Sequence, residues 1–331
     1  MTTYNVKGKS GQVVIAKDGK DTINIISGND HVVIAGDGSD TINIKGGNNH
    51  LISAGNSTGT SKKMSTDTIN ILKGKNHTIV GGPKNNVIKM SNSNVQSILG
   101  GEGKDIIVIK KGATISNSGY APTYGNYGID SAGGNDEITF EKGAGGKAII
   151  FAGKGSDKIT IKGGSQHKIS AGAGNDTITI SAGNSHTIHT DAGTDKVKIS
   201  AGSGHKVYLD KGTNTVTLNA VSKKSKVTLY GGGASRDNIT INWKNGAKKG
   251  GIYAISTQSH SRYSYTDTLL IKGIRSSAFQ FKNQNGTLVM SNSLGSISVN
   301  NMFASLHNTF TGGITFDDRK LSVSALLKKT K

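Results

Sequence analysis

Apolar residues recur along this chain in pairs two positions apart, and each pair follows an Asp or Asn at +2 and +4. The pairs are Ile23/Ile25, Ile42/Ile44, Ile69/Ile71, Ile88/Met90, Ile107/Ile109, Ile138/Phe140, Ile159/Ile161, Ile178/Ile180, Val197/Ile199, Val216/Leu218, Ile239/Ile241 and Leu269/Ile271. The flanking positions are mostly Thr, Asn or Lys. Alternation with period two predicts strands with one buried face. The residues that open them are Asp21, Asp40, Asp67, Asn86, Asp105, Asp136, Asp157, Asp176, Asp195, Asn214, Asp237 and Asp267. Their base step is 19 residues, and the longer steps read as 19 plus insertions near 56–65, 117–131, 233–236 and 256–265. A fixed period near twenty predicts a solenoid.

A second strand fits in the other half of each period. HVVIA, HLISA, HTIVG, HKISA and HTIHT supply it, with Val33, Ile52, Ile79, Ile169 and Ile188 facing inward. One coil cannot bury its own apolar pair, whereas a stack of coils buries them all. The pattern therefore predicts an all-β chain. A parallel β-solenoid of about twelve coils spans 1–271, and a β-rich C-terminal cap spans 272–331. In the cap aromatic residues return as Phe279, Phe281, Phe303, Phe310 and Phe316.

Composition narrows the class. Hydrophobic residues make up 33% of the 331, with 47 Gly, 2 Pro and no Cys, so a thick globular core and disulfide staples are both excluded. The formal net charge of +19 favours anionic partners such as acidic polysaccharide, lipopolysaccharide or a charged membrane surface. No apolar run approaches the roughly 18 residues of a membrane span. The N-terminus MTTYNVKGKSGQVVIAKDGKD lacks the apolar segment of a cleaved signal.

The turns before the first strand carry a more specific likeness. AGDGSDTIN, AGKGSDKIT, AGAGNDTIT and SAGGNDEIT match the pattern G-G-x-G-x-D-x-U-x, in which U is a large apolar residue. Over about residues 10–270 the chain resembles the haemolysin-type calcium-binding (RTX) repeats, which form a parallel β-roll. That resemblance implies Ca²⁺ held between successive coils by hard oxygen ligands. The side-chain ligands it implies are Asp21, Asp40, Asp136, Asp157, Asp176 and Asp195, with the best-formed sites at 152–176 and between 16–21 and 35–40. Several turns depart from the pattern. Lys17, Lys20, Lys104 and Lys154 add cations, Asn86 and Asn214 replace Asp, PKNN at 83–86 lacks the Gly, and the insertions before Asp67, Asp237 and Asp267 are expected to distort their turns. GTLVM, GSISVNNMF and GITFDD after residue 272 resemble the terminal module of RTX proteins, which implies type I secretion and an extracellular or cell-surface location.

The opposite turn ends in His. His31, His50, His77, His167, His186 and His205 each lie ten residues after the Asp-turn residue, so their rings are expected to stack along one edge. They either form a neutral ladder bonded to Asn or backbone, or ligate a transition metal.

No catalytic set stands out: Ser185-His186 belongs to the repeat and Asp317-Asp318 is a lone acidic pair. The expectation is a non-enzymatic protein. The first reading is a secreted structural protein that self-assembles head-to-tail into filament, sheet or matrix, as in a biofilm. It is favoured because repeats begin almost at residue 1 and GQVVIA aligns with a second strand. The alternative is a surface adhesin or glycan-binding module, favoured by the charge and by Tyr-rich insertions. A third class is an ice-binding solenoid. Outward Thr22/Asn24 and Thr41/Asn43 hint at it, but Lys158 and Lys196/Lys198 interrupt the array. No specific nucleic-acid partner is expected.

Overall fold

In the computed structural model, described here for residues 1–55, 66–116, 128–219, 226–231, 236–243, 251–257, 267–300 and 313–330, the chain is a parallel β-solenoid of about eleven turns. Each coil contributes one strand to each of two parallel sheets. All twelve expected apolar pairs are buried, as are Val33, Ile52, Ile79, Ile169 and Ile188. β-Branched side chains suit such a pleated, half-buried surface, so the aliphatic pair selects both the strand and its inward face. Among the described residues, no helix is long and apolar enough to cross a membrane.

The chain forms two compact units, 1–172 and 173–331. In the first, the strand after the Asp turn recurs in register: Thr22 pairs with Thr41, and Thr41 with Thr68, although the second step is 27 residues rather than 19. Ile109 pairs with Phe140 across a step of 31. Register is thus kept across the insertions. Register holds because a one-residue slip would turn every Ile to solvent. Outside this sheet the Asn side chains form their own ladder, Asn24 Nδ2 donating to Asn5 Oδ1 at 3.1 Å, Asn43 to Asn24 at 3.1 Å and Asn70 to Asn43 at 2.9 Å.

Three details differ from the sequence reading. A strand at Thr3–Val6 precedes the first expected one and pairs with Thr22–Ile25, so Tyr4 and Val6 occupy the places of Ile23 and Ile25. It lacks a preceding Asp, which hid it from the repeat. Residues 129–131, assigned to an insertion, belong to the strand Ile129–Ala132, which supplies the second sheet of its coil. Ser256 and Thr257 likewise end the strand Ile252–Thr257. The Tyr-bearing parts of those insertions, with Tyr120, Tyr124, Tyr127, Arg262, Tyr263 and Tyr265, lie outside the described residues.

In the second unit, parallel pairing runs from Thr177–Ile180 through Thr268–Lys272 to Ile314–Thr315 in one sheet and reaches Gly295–Val299 in the other, and there it changes. The strands Gln280–Gln284, Thr287–Asn292 and Gly295–Val299 pair antiparallel, as do Ile314–Thr315 and Lys320–Leu321. Here the aliphatic core gives way to an aromatic plug. Trp243 packs edge-on against Phe279 with centroids 5.0 Å apart, and Phe279 lies 5.9 Å from Phe316. The helix Val323–Lys329 follows, its first turn capped by the Ser322 hydroxyl, which accepts the Ala325 N–H at 3.2 Å. Phe303 and Phe310 lie outside the described residues.

Because the core is only two side chains thick, each inward residue matters. Replacing Ile178, fully buried, with Ala is expected to cost about 2–5 kcal/mol in denaturant unfolding. Thr179→Ala, on the outward face of the same strand, is expected to change stability by less than about 0.5 kcal/mol.

Candidate functional site

The two corners of each coil carry the polar side chains that the repeat singles out. At a corner the backbone leaves the sheet ladder, and its N–H groups need other acceptors. At the first corner the acceptor is the Asp side chain of the next coil. Thr2 N–H donates to Asp21 Oδ1 at 2.7 Å, Asp21 N–H to Asp40 at 2.8 Å, and Asp40 N–H to Asp67 at 2.8 Å. Further along, Asp105 donates to Asp136 and Asp136 to Asp157, both at 2.7 Å. In the second unit the chain of donors runs from Asp176 to Asp195, Asn214, Asp237 and Asp267.

All six expected ligands sit in this column. Asp21, Asp40, Asp136 and Asp157 lie in the first unit, Asp176 and Asp195 in the second, and each is at most 3% exposed. Asp67, Asp237 and Asp267 each accept the backbone N–H of the preceding coil, while the turns before them, where distortion was expected, lie outside the described residues. Asn214 stands in for Asp as an acceptor, at 3.1 Å from the Asp195 nitrogen. Asn86 donates its amide to Asp105 Oδ1 at 2.8 Å and to the Lys84 carbonyl at 2.7 Å.

One oxygen of each carboxylate is committed to the backbone. In Asp21, Asp40, Asp67 and Asp105 the other, Oδ2, is buried with no hydrogen-bond donor among the described residues. A buried carboxylate in that state favours a proton or a cation. Burial pushes the carboxyl pKa up to about 6 at Asp40 and Asp195, about 7 at Asp67, Asp136 and Asp157, and about 8 at Asp105. The donor chemistry, carboxylate oxygen beside Gly-rich turns, suits a hard cation.

One turn already holds a cation of its own. Lys84, from the turn that lacks the repeat's Gly, reaches back so that its Nζ lies 3.5 Å from Asp37 Oδ1, with only 12% of its side chain exposed. Its charge partly counters the upward pull of burial on Asp40 and Asp67. Lysines were expected to oppose calcium at Lys17, Lys20, Lys104 and Lys154. Lys104 does oppose the effect of burial, at Asp136, and Lys84, which the sequence marked only by its missing Gly, does so at Asp40 and Asp67.

The second corner uses histidine for the same task. Gln12 N–H donates to His31 Nδ1 at 3.2 Å, His31 N–H to His50 Nδ1 at 3.2 Å, and His50 N–H to His77 Nδ1 at 3.3 Å. Ala148 bonds to His167 and His186 to His205 in the same way. An Nδ1 that accepts carries no proton, so the hydrogen sits on Nε2. That nitrogen donates to the carbonyl four residues back, Ser27, Gly46 and Lys73 for the first three rings, at 3.0 to 3.2 Å. The rings stack as expected, His31 on His50 and His50 on His77 at 4.9 Å, His186 on His205 at 5.1 Å. Both nitrogens are occupied, so the neutral ladder is the state these residues build. Burial lowers the pKa of His50, His167 and His205, and brings His77 to about 4.

A G-x-x-H turn shapes this corner. Gly47 and Gly74 have positive φ, and a Cβ on either would run into the ring of His50 or His77. The residue before each His, Asn49 or Asn76, also takes the left-handed region, at φ 57° and 58°. Asn tolerates that region better than most residues.

The two corners respond to pH with opposite sign. Raised aspartate pKa values mean that the folded state binds protons more tightly than the unfolded chain. Their contribution is present at low pH and is lost as pH rises through about 6 to 8. Lowered histidine pKa values contribute stability above pH about 6.5, lost on acidification toward about 4. In chelator, melting temperature is expected to rise as pH falls from 8 to 6.5, where only the aspartates titrate. Calcium bound at the column would replace the protons and flatten that rise; thermal melts at fixed ionic strength test both. Lys84→Gln, which leaves Asp37 without its partner, is expected to cost up to about 3 kcal/mol in chelator and to enlarge any calcium-induced increase.

Comparison with models of known protein families and with curated proteins finds no match to either.

Proposed function

We propose that this chain is an extracellular structural protein: a β-solenoid stabilised by calcium in its aspartate turns, exported by a type I route, that joins end to end into a filament, sheet or matrix. The observation that carries the reading is an outward apolar face on the second sheet: Val13 and Ile15 are 64% and 67% exposed, and Leu51 continues that face at 44%. An exposed apolar face of this kind marks a contact surface. Contact between this face of one copy and the antiparallel cap of another is heterologous, so it propagates unless rotation closes a ring.

The calcium part rests on the RTX-like turns and on the burial of their carboxylates, which favours a proton or a cation at Asp136, Asp157 and Asp195. Where Lys84 meets Asp37, the ammonium already supplies positive charge, so calcium is expected at turns away from it, at Asp136, Asp157, Asp176 and Asp195.

A second reading, an adhesin for acidic polysaccharide, is favoured by one observation. In the second unit Lys196, Lys198, Lys206 and Lys226 are exposed on the outward faces of successive strands. Binding of that origin weakens steeply with salt.

Electron microscopy and sedimentation of the purified chain with calcium test the first reading. Polymers are expected for the natural sequence and monomers for the double variant Val13→Lys, Ile15→Lys, whose core is untouched. A sharp monomer at high protein concentration with calcium present would sink the structural reading. Salt-dependent retention on an acidic polysaccharide column would then favour the adhesin.

A further inference from the structure

One cluster of ligating side chains lies outside both corner columns. The second strand of most coils runs into a turn whose position two residues after the strand's outward residue is Gly: Gly36, Gly55, Gly82, Gly101, Gly153 and Gly172, with outward residues such as Ser53 and Ser170 before it. Two consecutive coils of the second unit break that rule together. His189 and Asp191 stand where Ser170 and Gly172 would, and Tyr208 and Asp210 take those places one coil later. Parallel stacking then brings two adjacent turns' substitutions into one place.

The geometry there is compact. One ligand atom from each of His189, Asp191 and Asp210 lies within 4.8 Å of the other two, and all three residues are half-buried. His189 Nδ1 is 3.3 Å from Asp210 Oδ2. Asp191 N–H donates to the same Oδ2 at 3.3 Å, and Asp210 N–H donates to Thr190 Oγ1 at 3.3 Å. The backbone beneath is held by pairing of Ala192–Gly193 with Lys211–Gly212 and by the Lys211 N–H bond to the Asp191 carbonyl at 2.8 Å. The imidazole is fixed as well, stacked on Tyr208 at 4.4 Å and 2°, with Tyr208 in turn on Tyr230 at 4.5 Å.

We infer that His189, Asp191 and Asp210 form a binding site for a divalent transition-metal ion such as Zn²⁺, distinct from the aspartate column. Two ligands at about 2.0–2.1 Å from a tetrahedral ion are about 3.3–3.4 Å apart, and the His189–Asp210 separation falls at that spacing. One imidazole nitrogen with two carboxylates is a set that zinc, cobalt, nickel or manganese takes, whereas calcium prefers oxygen alone. The half-exposed position leaves a coordination place for water. It also sets this histidine apart from the six corner histidines: their Nδ1 or Nε2 atoms are bonded within the backbone ladder, while His189 Nδ1 faces a carboxylate. The two acids place negative charge in a chain of net charge +19, where a cation otherwise meets repulsion.

The test uses the untagged full chain, stripped with chelator and then held in excess calcium, so that the outcome does not depend on whether the aspartate column takes that ion. Zinc is titrated calorimetrically, and cobalt by its visible absorption, whose intensity separates a four-coordinate protein site from the hydrated ion. One saturable equivalent is expected. His189→Ser and Asp191→Gly restore residues that the repeat uses elsewhere, and Gly suits the φ of 60° at position 191, so both variants are expected to fold. Each is expected to weaken zinc binding at least about tenfold, and Asp210→Asn likewise. The inference is overturned if no saturable binding occurs. It is equally overturned if the three variants bind as tightly as the natural chain, or if calcium displaces zinc at comparable concentration.

Discussion

A backbone N–H that leaves a sheet at a corner must find an acceptor, and this protein meets that need with a side chain from the next coil. An unsatisfied buried donor costs about 1–3 kcal/mol, and the need recurs at two corners of every coil. Aspartate Oδ1 answers it at one corner and histidine Nδ1 at the other. Each bond joins adjacent coils in the same direction, so a coil completes its neighbour's turn as well as its neighbour's sheet. The apolar pairs make stacking favourable, and the corner bonds make it specific in register.

That solution leaves residues of opposite electrostatic character on the two edges. A histidine that accepts through Nδ1 and donates through Nε2 is complete when neutral, so its column asks for nothing more. An aspartate that accepts through Oδ1 still has Oδ2, and burial without a donor raises its affinity for a proton or a cation. The aspartate edge is therefore the chemically open one. Lys84 shows the chain answering this demand internally at one turn, where an ammonium beside Asp37 supplies the positive charge. The resemblance to calcium-binding repeats and the local charge thus point at the same atoms for the same reason.

The described turns also show how far a repeat tolerates substitution. Asn214 serves in the aspartate ladder because an amide oxygen accepts as a carboxylate does. Insertions of differing length precede Asp67, Asp237 and Asp267, yet each of these residues resumes the ladder. Where two neighbouring coils change the same outward positions, as at His189, Asp191, Tyr208 and Asp210, the stack converts a linear coincidence into a local cluster. In a solenoid, residues about 19 apart are neighbours, and new sites arise by paired substitution.

Much of this was legible in the linear pattern. The step of 19, the pairs at +2 and +4 and the His ten residues on were enough to place the twelve strands after the Asp turns and the second strands around Val33, Ile52, Ile79, Ile169 and Ile188. Short-range alternation and a fixed period depend only on local geometry and on the need to bury an apolar face. The strand Thr3–Val6 escaped because no Asp opens it and Tyr4 breaks the aliphatic pair. The strand Ile129–Ala132 escaped because it directly follows a long insertion. The sequence by itself determined the strands after the Asp turns, their stacking and the identity of the corner residues. Only the tertiary structure decided which atom of each corner residue is spent on the neighbouring backbone, that Lys84 reaches Asp37, and that His189 meets Asp210. Those depend on distances between coils, which a repeat announces but only the folded stack sets.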